Sequence, residues 1–192
     1  MSRPIRSTLS SLLLAALLVC AGCASVGPTR FVNPSFNFSF VEKVAVLPLE
    51  NLSSDSKAGE RASRLVMTEL LASGAVDVVE PGEVQGALNK HASGSLTPTT
   101  EQIRKLGETL GVQAVVTGSV TQAELVRSGR VQIPVVTLDL HMVETETGSA
   151  VWAATHTEKG SGFGSQVLGT GGQAISETMR TCVRVLVQQL IG

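Results

Sequence analysis

Between Lys43 and Gly192 the apolar residues change period repeatedly, from two to about three and a half and back, and this order constrains the fold more than any other feature of the chain. "KVAVLPLEN" is a short apolar strand ended by Pro48. "DSKAGERASRLVMTELLASG" is a helix with Ala62, Leu65, Val66 and Leu70 on one face and Gly74 as its stop. "VDVVE" is a second strand. "PGEVQGALNKH" starts a short helix at Pro81, where a missing N–H costs nothing. "SLTPTTEQIRKLGETLG" gives another, in which Thr99 or Thr100 caps and Ile103, Leu106 and Leu110 line a face. Three strands follow, "VQAVVTGSVTQAEL", "RVQIPVVTLDLHMVET" and "AVWAATHTEK", joined by the hairpin-type turns "VRSGR" and "ETGS". In the middle strand Val131, Ile133 and Val135 share one parity and Val136, Leu138, Leu140 and Met142 the other, so a bulge near Pro134 is expected, with that end at a sheet edge. The last helix carries Ile175, Met179, Cys182, Leu186 and Leu190 at helical spacing. The expectation is an α/β fold: a single three-layer-like domain over 42–192, with a mixed β-sheet of two βα crossover units, an antiparallel meander and a C-terminal helix.

The amino terminus follows a different logic. "MSRPIRST" carries Arg3 and Arg6 and no acid, an apolar core runs from Leu12 to Val19, and the small residues Ala21 and Gly22 come next. This is the order of a secretory signal, and the run is much shorter than the roughly 20 residues of a spanning helix. The residues "VCAGCAS" resemble the bacterial lipoprotein signal, in which small residues precede an acceptor cysteine. Cys23, after Ala21 and Gly22, fits that pattern; Cys20, after the bulky Val19, fits poorly. The competing reading is plain secretion with cleavage after an A-x-A site. What the resemblance implies is removal of residues 1–22, acylation of Cys23 and a lipid anchor in the membrane. Residue Ala24, in place of an aspartate, implies sorting to the outer membrane, facing the periplasm.

Residues 23–41 then read as a lipidated terminus and tether, with Pro28 and Pro34 and no helical period. From residue 24 to 41 such a tether extends about 60 Å at roughly 3.3 Å per residue. Phe36, Phe38 and Phe40 alternate, so the end of the tether is expected as an edge strand with three rings on one side. They are the candidate interaction residues, a docking patch for a partner or a sister subunit, unless they pack on the domain's own sheet.

The candidates for chemistry are weak. His141 and His156 stand on neighbouring strands, sharing a face if the "ETGS" turn holds two residues and lying on opposite faces if it holds three, and no third metal ligand has a useful spacing. The six glycines of "GSGFGSQVLGTGG" lack the lysine and hydroxyl of a phosphate-binding loop, since Gln173 and Ala174 follow, and a mobile loop is the better reading. No serine sits in G-x-S-x-G, and the acids of "VETETG" belong to a hairpin tip. Cys182 reads as a buried core thiol, without the exposed, histidine-paired setting of a nucleophile. No catalytic residue, metal or cofactor is expected. Without Arg3 and Arg6 the 15 basic residues fall short of the 16 acids by about three, so nucleic acid is not an expected partner.

"VAVLPLENLS", "LVMTELLASGAVDVVEPGEVQGALNKH", "TEQIRKLGETLGVQAVVTGSVT" and "LDLHMVETETGSAVW" together resemble the CsgG-type lipoproteins of curli secretion and their relatives, which include the amino-terminal domain of TolB and the outer-membrane lipoprotein activators of penicillin-binding proteins. The resemblance covers residues 42 to 157. It implies a periplasm-facing, non-enzymatic domain that binds envelope proteins or assembles into a homo-oligomer. It does not extend to a pore, because "AELVRSGRVQI" is a tight turn and "GSGFGSQVLGTGG" offers only Phe163, Val167 and Leu168 for a lipid face. The leading expectation is therefore an assembly or envelope-maintenance lipoprotein. A curli-like export accessory, an activator of a peptidoglycan synthase and a ligand-binding or catalytic periplasmic domain follow as alternatives.

Overall fold

The computed structural model describes residues 29–129, 131–160 and 174–192. In chain order the elements are β1 (Thr29–Val32), a 3-10 turn (Phe38–Phe40), β2 (Lys43–Val46), β3 (Glu50–Asn51), α1 (Ala58–Ser73), β4 (Asp77–Val78), α2 (Pro81–Ala92), α3 (Thr100–Leu110), β5 (Ala114–Ser128), β6 (Val131–Glu144), β7 (Ala150–Lys159) and α4 (Ile175–Ile191). The strands form one mixed sheet in the order β1-β7-β6-β5-β2-β4, with β3 also pairing β5. This is the α/β architecture that the alternating periods predict.

The connections explain the layers. α1 carries the chain outward from β2 to β4, and α2 with α3 carries it back over β2 to β5; both pairings are parallel. Two crossovers of the same hand that run in opposite directions must cover opposite faces of the sheet. One core accordingly joins Ala62, Val66 and Leu70 of α1 with Met179, Cys182 and Leu186 of α4 over Val116, Leu138, Leu140 and Trp152. The other joins Val84 and Leu88 of α2 with Ile103 and Leu106 of α3 over Ala45, Leu47 and Val115. The helix ends follow their sequence signals. Gly74 is left-handed at φ 64° after α1, and Thr99, not Thr100, caps α3 in a reciprocal box with Gln102. Such a cap is worth about 1 kcal/mol.

Four features depart from expectation. First, Thr29–Val32 lies inside the segment read as tether, yet pairs antiparallel with β7, Thr29 opposite Thr155 and Val32 opposite Trp152. The sheet therefore starts 13 residues earlier than Glu42, the first residue assigned to the domain from the sequence. Second, the alternating phenylalanines form no strand. Asn37 accepts a hydrogen bond from the Ser39 N–H, and the Val41 N–H donates to the Phe38 carbonyl, closing a 3-10 turn. Asparagine and serine between the rings offer the backbone local partners that compete with a ladder.

Third, β6 has no bulge at Pro134, which pairs with Leu125 in continuous register. The irregularities fall at Val120/Gln122 in β5 and at Met142/Val143 in the pairing with β7. Pro134 is tolerated inside β6 because its missing N–H points to the end of β7, past Lys159, where Gly160 donates to the Pro134 carbonyl at 2.8 Å. Fourth, the connection from β6 to β7 is longer than a two- or three-residue turn. Glu144 accepts from the Gly148 N–H and donates its own to Ser149, so Thr145 to Gly148 lie within the loop. The "VRSGR" connection does keep a tight form, with Ser128 paired to Val131 and Gly129 at φ 62°.

Candidate functional site

The aromatic stretch after β1 builds the most distinctive surface of the described residues. The Phe36 ring meets Phe38 edge-on, with centroids 4.8 Å apart, and Phe40 at 5.1 Å. Phe36 and Phe38 are half-buried and pack on the core beneath α1 and α4, whereas Phe40 stays 42% exposed. The three candidate interaction residues are thus together, but they divide the labour: two rings brace the segment and one faces out. Beside them is a cavity of about 140 Å³ between Phe38, Leu70, Val76, Met142, Leu190 and Ile191. Arg30 reaches the Gln189 carbonyl at 3.5 Å, which places β1 along the last turn of α4. Val32, Phe40, Leu71 and Ile191 are exposed, as is Phe31 on the opposite face of the β1 edge. The sequence marks the phenylalanines; Leu71 and Ile191 are not marked because each belongs to a helix whose main apolar stripe is buried.

A larger groove, about 330 Å³, opens between α1 and α2 past the end of β2, lined by Val46, Pro48, Met67, Pro81 and Val84. It exists because β4 is two residues long and pairs only with Lys43 and Val44, so no strand pairs with that edge of β2 beyond them. Its rim carries Glu60 and Arg64, paired at 2.8 Å and both well exposed, which contributes well under about 1 kcal/mol. Sequence reasoning missed this groove. The available signal was Met67, an apolar residue off the buried stripe of α1.

Helices α2 and α3 stop over β2 and β5, so one face of the meander carries polar side chains. Thr155 donates to Asp139 at 2.7 Å, His141 stands 3.4 Å from the same carboxylate, and the Thr137 hydroxyl meets Thr157 at 2.9 Å. These are pairs across neighbouring strands, the ordinary solution for a solvated sheet face. His156 is on the opposite face, since His141 pairs with Ala153 and His156 with Leu138. It contacts Glu158 at 3.1 Å. The two histidines are therefore not one site, and among the described residues no group of three or more His, Cys, Asp or Glu side chains could hold a metal.

Cys182 is buried, and burial pushes its thiol up from an ordinary 9.0 to about 12, with the Glu158 carboxylate adding to the shift. A thiol so protected stays protonated at neutral pH. In folded protein at pH 8.5 it is expected to resist iodoacetamide and to react only when denaturant is added; rapid alkylation of the native state would contradict its placement. The same shift predicts that stability falls as pH rises from about 9 toward 12, where the unfolded thiol ionises and the folded one does not. In the "VETETG" acids, Glu144 is buried and bonds the Thr147 hydroxyl, while Thr145 donates to the Val112 carbonyl at 2.7 Å. These contacts fix the hairpin against α3. Cys23, the proposed lipidation site, and most of the glycine-rich stretch, residues 161–173, lie outside the described residues.

Residues 36–157 match the family described as peptidoglycan-synthase activator LpoB. Among solved structures, a variant of the PelC dodecamer from Paraburkholderia phytofirmans is similar over 86% of this chain and 98% of its own, with a TM-score of 0.59 at 18% identity. The lipoprotein GNA1162 from Neisseria meningitidis is similar over 78% of this chain and 97% of its own, at TM-score 0.53 and 17% identity. The hypothetical protein CT253 from Chlamydia trachomatis gives 0.52 at 14% identity over 79% of this chain and 96% of its own. At these identities the likeness is one of fold. No curated protein sequence matches the chain. The activators were one of the relatives named in the resemblance, and it is they, not the curli-secretion lipoproteins, that the family match supports.

Proposed function

The chain belongs to the family of LpoB peptidoglycan-synthase activators, and from that premise we propose that it is a non-enzymatic lipoprotein of the cell envelope that acts by binding and stimulating a peptidoglycan synthase. The observation that carries this reading is the family match over residues 36–157, which spans the sheet from β2 through most of β7. It moves the activator ahead of the general assembly role that the sequence alone put first. In this reading residues 1–22 are a leader, Cys23 is the acylated terminus, and the protein faces the periplasm from the outer membrane. The PelC dodecamer supports self-association as part of the mechanism.

The start of β1 at Thr29 limits how the synthase is met. Only residues 24–28 separate Cys23 from the sheet, a span of about 20 Å at roughly 3.3 Å per residue, not the 60 Å of a tether reaching residue 41. The activator therefore stays at the membrane, and the partner supplies the span across the wall. The test is to add acylated protein to the purified synthases of the same cell and follow glycan polymerisation and direct binding. A several-fold rise in rate with saturable binding to one of them is expected. Absence of both, with every synthase active alone, would sink the reading.

A further inference from the structure

We propose that the apolar end of the domain formed by Phe40, Ile191, Val32 and Phe31 lies on the phospholipid surface of the membrane that holds the acyl chains. This inference rests on the anchor at Cys23 and goes beyond it, because a tether alone does not decide which side of a domain faces lipid. The length of chain before β1 does. Six steps from Cys23 to Thr29 reach about 20 Å at roughly 3.3 Å each, and Thr29 is paired with Thr155, which in turn lies opposite Asp139 of β6. From that level the hairpin tip at Val131 is eight residues further along β6, about 26 Å at a strand rise of roughly 3.3 Å. A domain standing on the hairpin tip would hold Thr29 further from the bilayer than the tether allows. Val32, in contrast, is three residues from Thr29 toward the aromatic end, about 10 Å.

The chemistry of this end agrees with the geometry. Phe31 is 51% exposed, Phe40 and Ile191 42% each and Val32 39%. Ile191 lines the cavity beside Phe38, Phe36 braces Phe40 from behind, and Phe31, paired with Ala153, projects from the other face of the same edge strand. Bulky apolar side chains set about 5–10 Å into the headgroup boundary gain burial without any charged partner. Arg30 is the one cation on β1, and its guanidinium is turned to the Gln189 carbonyl. Contact is therefore hydrophobic and should be insensitive to salt.

The experiment uses acylated full-length protein in phosphatidylethanolamine and phosphatidylglycerol vesicles, labelled with an environment-sensitive fluorophore at Phe40→Cys or, separately, Ser128→Cys. Buried Cys182 leaves each variant with one reactive thiol. Vesicles containing spin-labelled lipid are expected to quench the label at position 40 at least about twofold, as insertion to headgroup depth requires, and to leave position 128 unchanged in 0.1 or 0.5 M salt. Quenching at 128 and not at 40 would overturn the proposal. So would shielding of position 40 from aqueous iodide without lipid quenching, which would mean that a second copy or another protein covers the patch. Ile191→Cys serves at the same end if the Phe40 variant does not fold. Mass spectrometry of the amino-terminal peptide separates the two levels: a protein without acyl chains refutes the anchor, whereas an acylated protein with an unquenched patch refutes this orientation.

Discussion

Cys23→Ala should move the whole pool of the protein from the membrane fraction to the soluble periplasm, while Cys20→Ala leaves it membrane-bound. The size of the effect comes from acyl burial at about 0.8 kcal/mol per CH₂ group: one chain binds marginally, and two or more hold a protein stably. A lipoprotein terminus carries more than one chain, so in the protein cleared of its leader, removing the acceptor thiol removes an anchor that no described residue replaces. Among the described residues no helix is long and apolar enough to cross a membrane. The apolar patch around Phe40 gives transient contact at best, because it offers a few side chains where the anchor offers whole acyl chains. Fractionation with an alkaline wash checks the result. A Cys23→Ala protein that still sediments with membranes would place the anchor elsewhere and remove the premise on which the orientation at the bilayer depends.

Gly118→Ala should cost the domain more than about 4 kcal/mol, the range reserved for a built-in collision in a packed interior. Gly118 sits in β5 opposite Leu140, and a Cβ there would stand 2.0 Å from the Asp139 carbonyl oxygen and 3.0 Å from the Leu140 Cα. Both atoms are backbone of β6, so no rotamer can relieve the contact. The strands must separate, and β5 is the strand that joins the crossover half of the sheet to the meander. For a domain of this size the thermal midpoint should drop by more than about 8 °C, or the protein should fail to fold. Gly129→Ala is the control. It has open space around its Cβ and only a positive φ to lose, so it should cost about 1 kcal/mol. Equal midpoints for the two variants would show that β5 and β6 are not packed as described.

The two variants also mark where sequence reasoning ends. Gly129 is legible, because a glycine between two alternating runs signals a turn. Gly118, in "VVTGSV", reads only as one residue of a strand, and the collision that requires it involves Asp139, 21 positions away in β6.

The same division holds for the site. Periodicity and caps determined α1 to α4, their buried faces and the succession of helices and longer strands along the chain, since each of these depends on residues within one or two turns of each other. The polarity of the amino-terminal run and the small residues before Cys23 determined the expected anchor for the same reason. The tertiary structure alone decided that "TRFV" is a strand, because its hydrogen-bond partners in β7 are more than a hundred residues distant and four residues carry too little pattern to announce themselves. It decided that the phenylalanine alternation closes into a 3-10 turn, through Asn37 and Ser39, and so leaves Phe40 outward over the core. It decided that β4 stops after two residues and leaves a groove. Local order is written in local sequence, whereas the edge of a sheet, the length of a tether and the surface nearest the membrane are fixed by which distant segments pair, and pairing is settled only when the whole chain has packed.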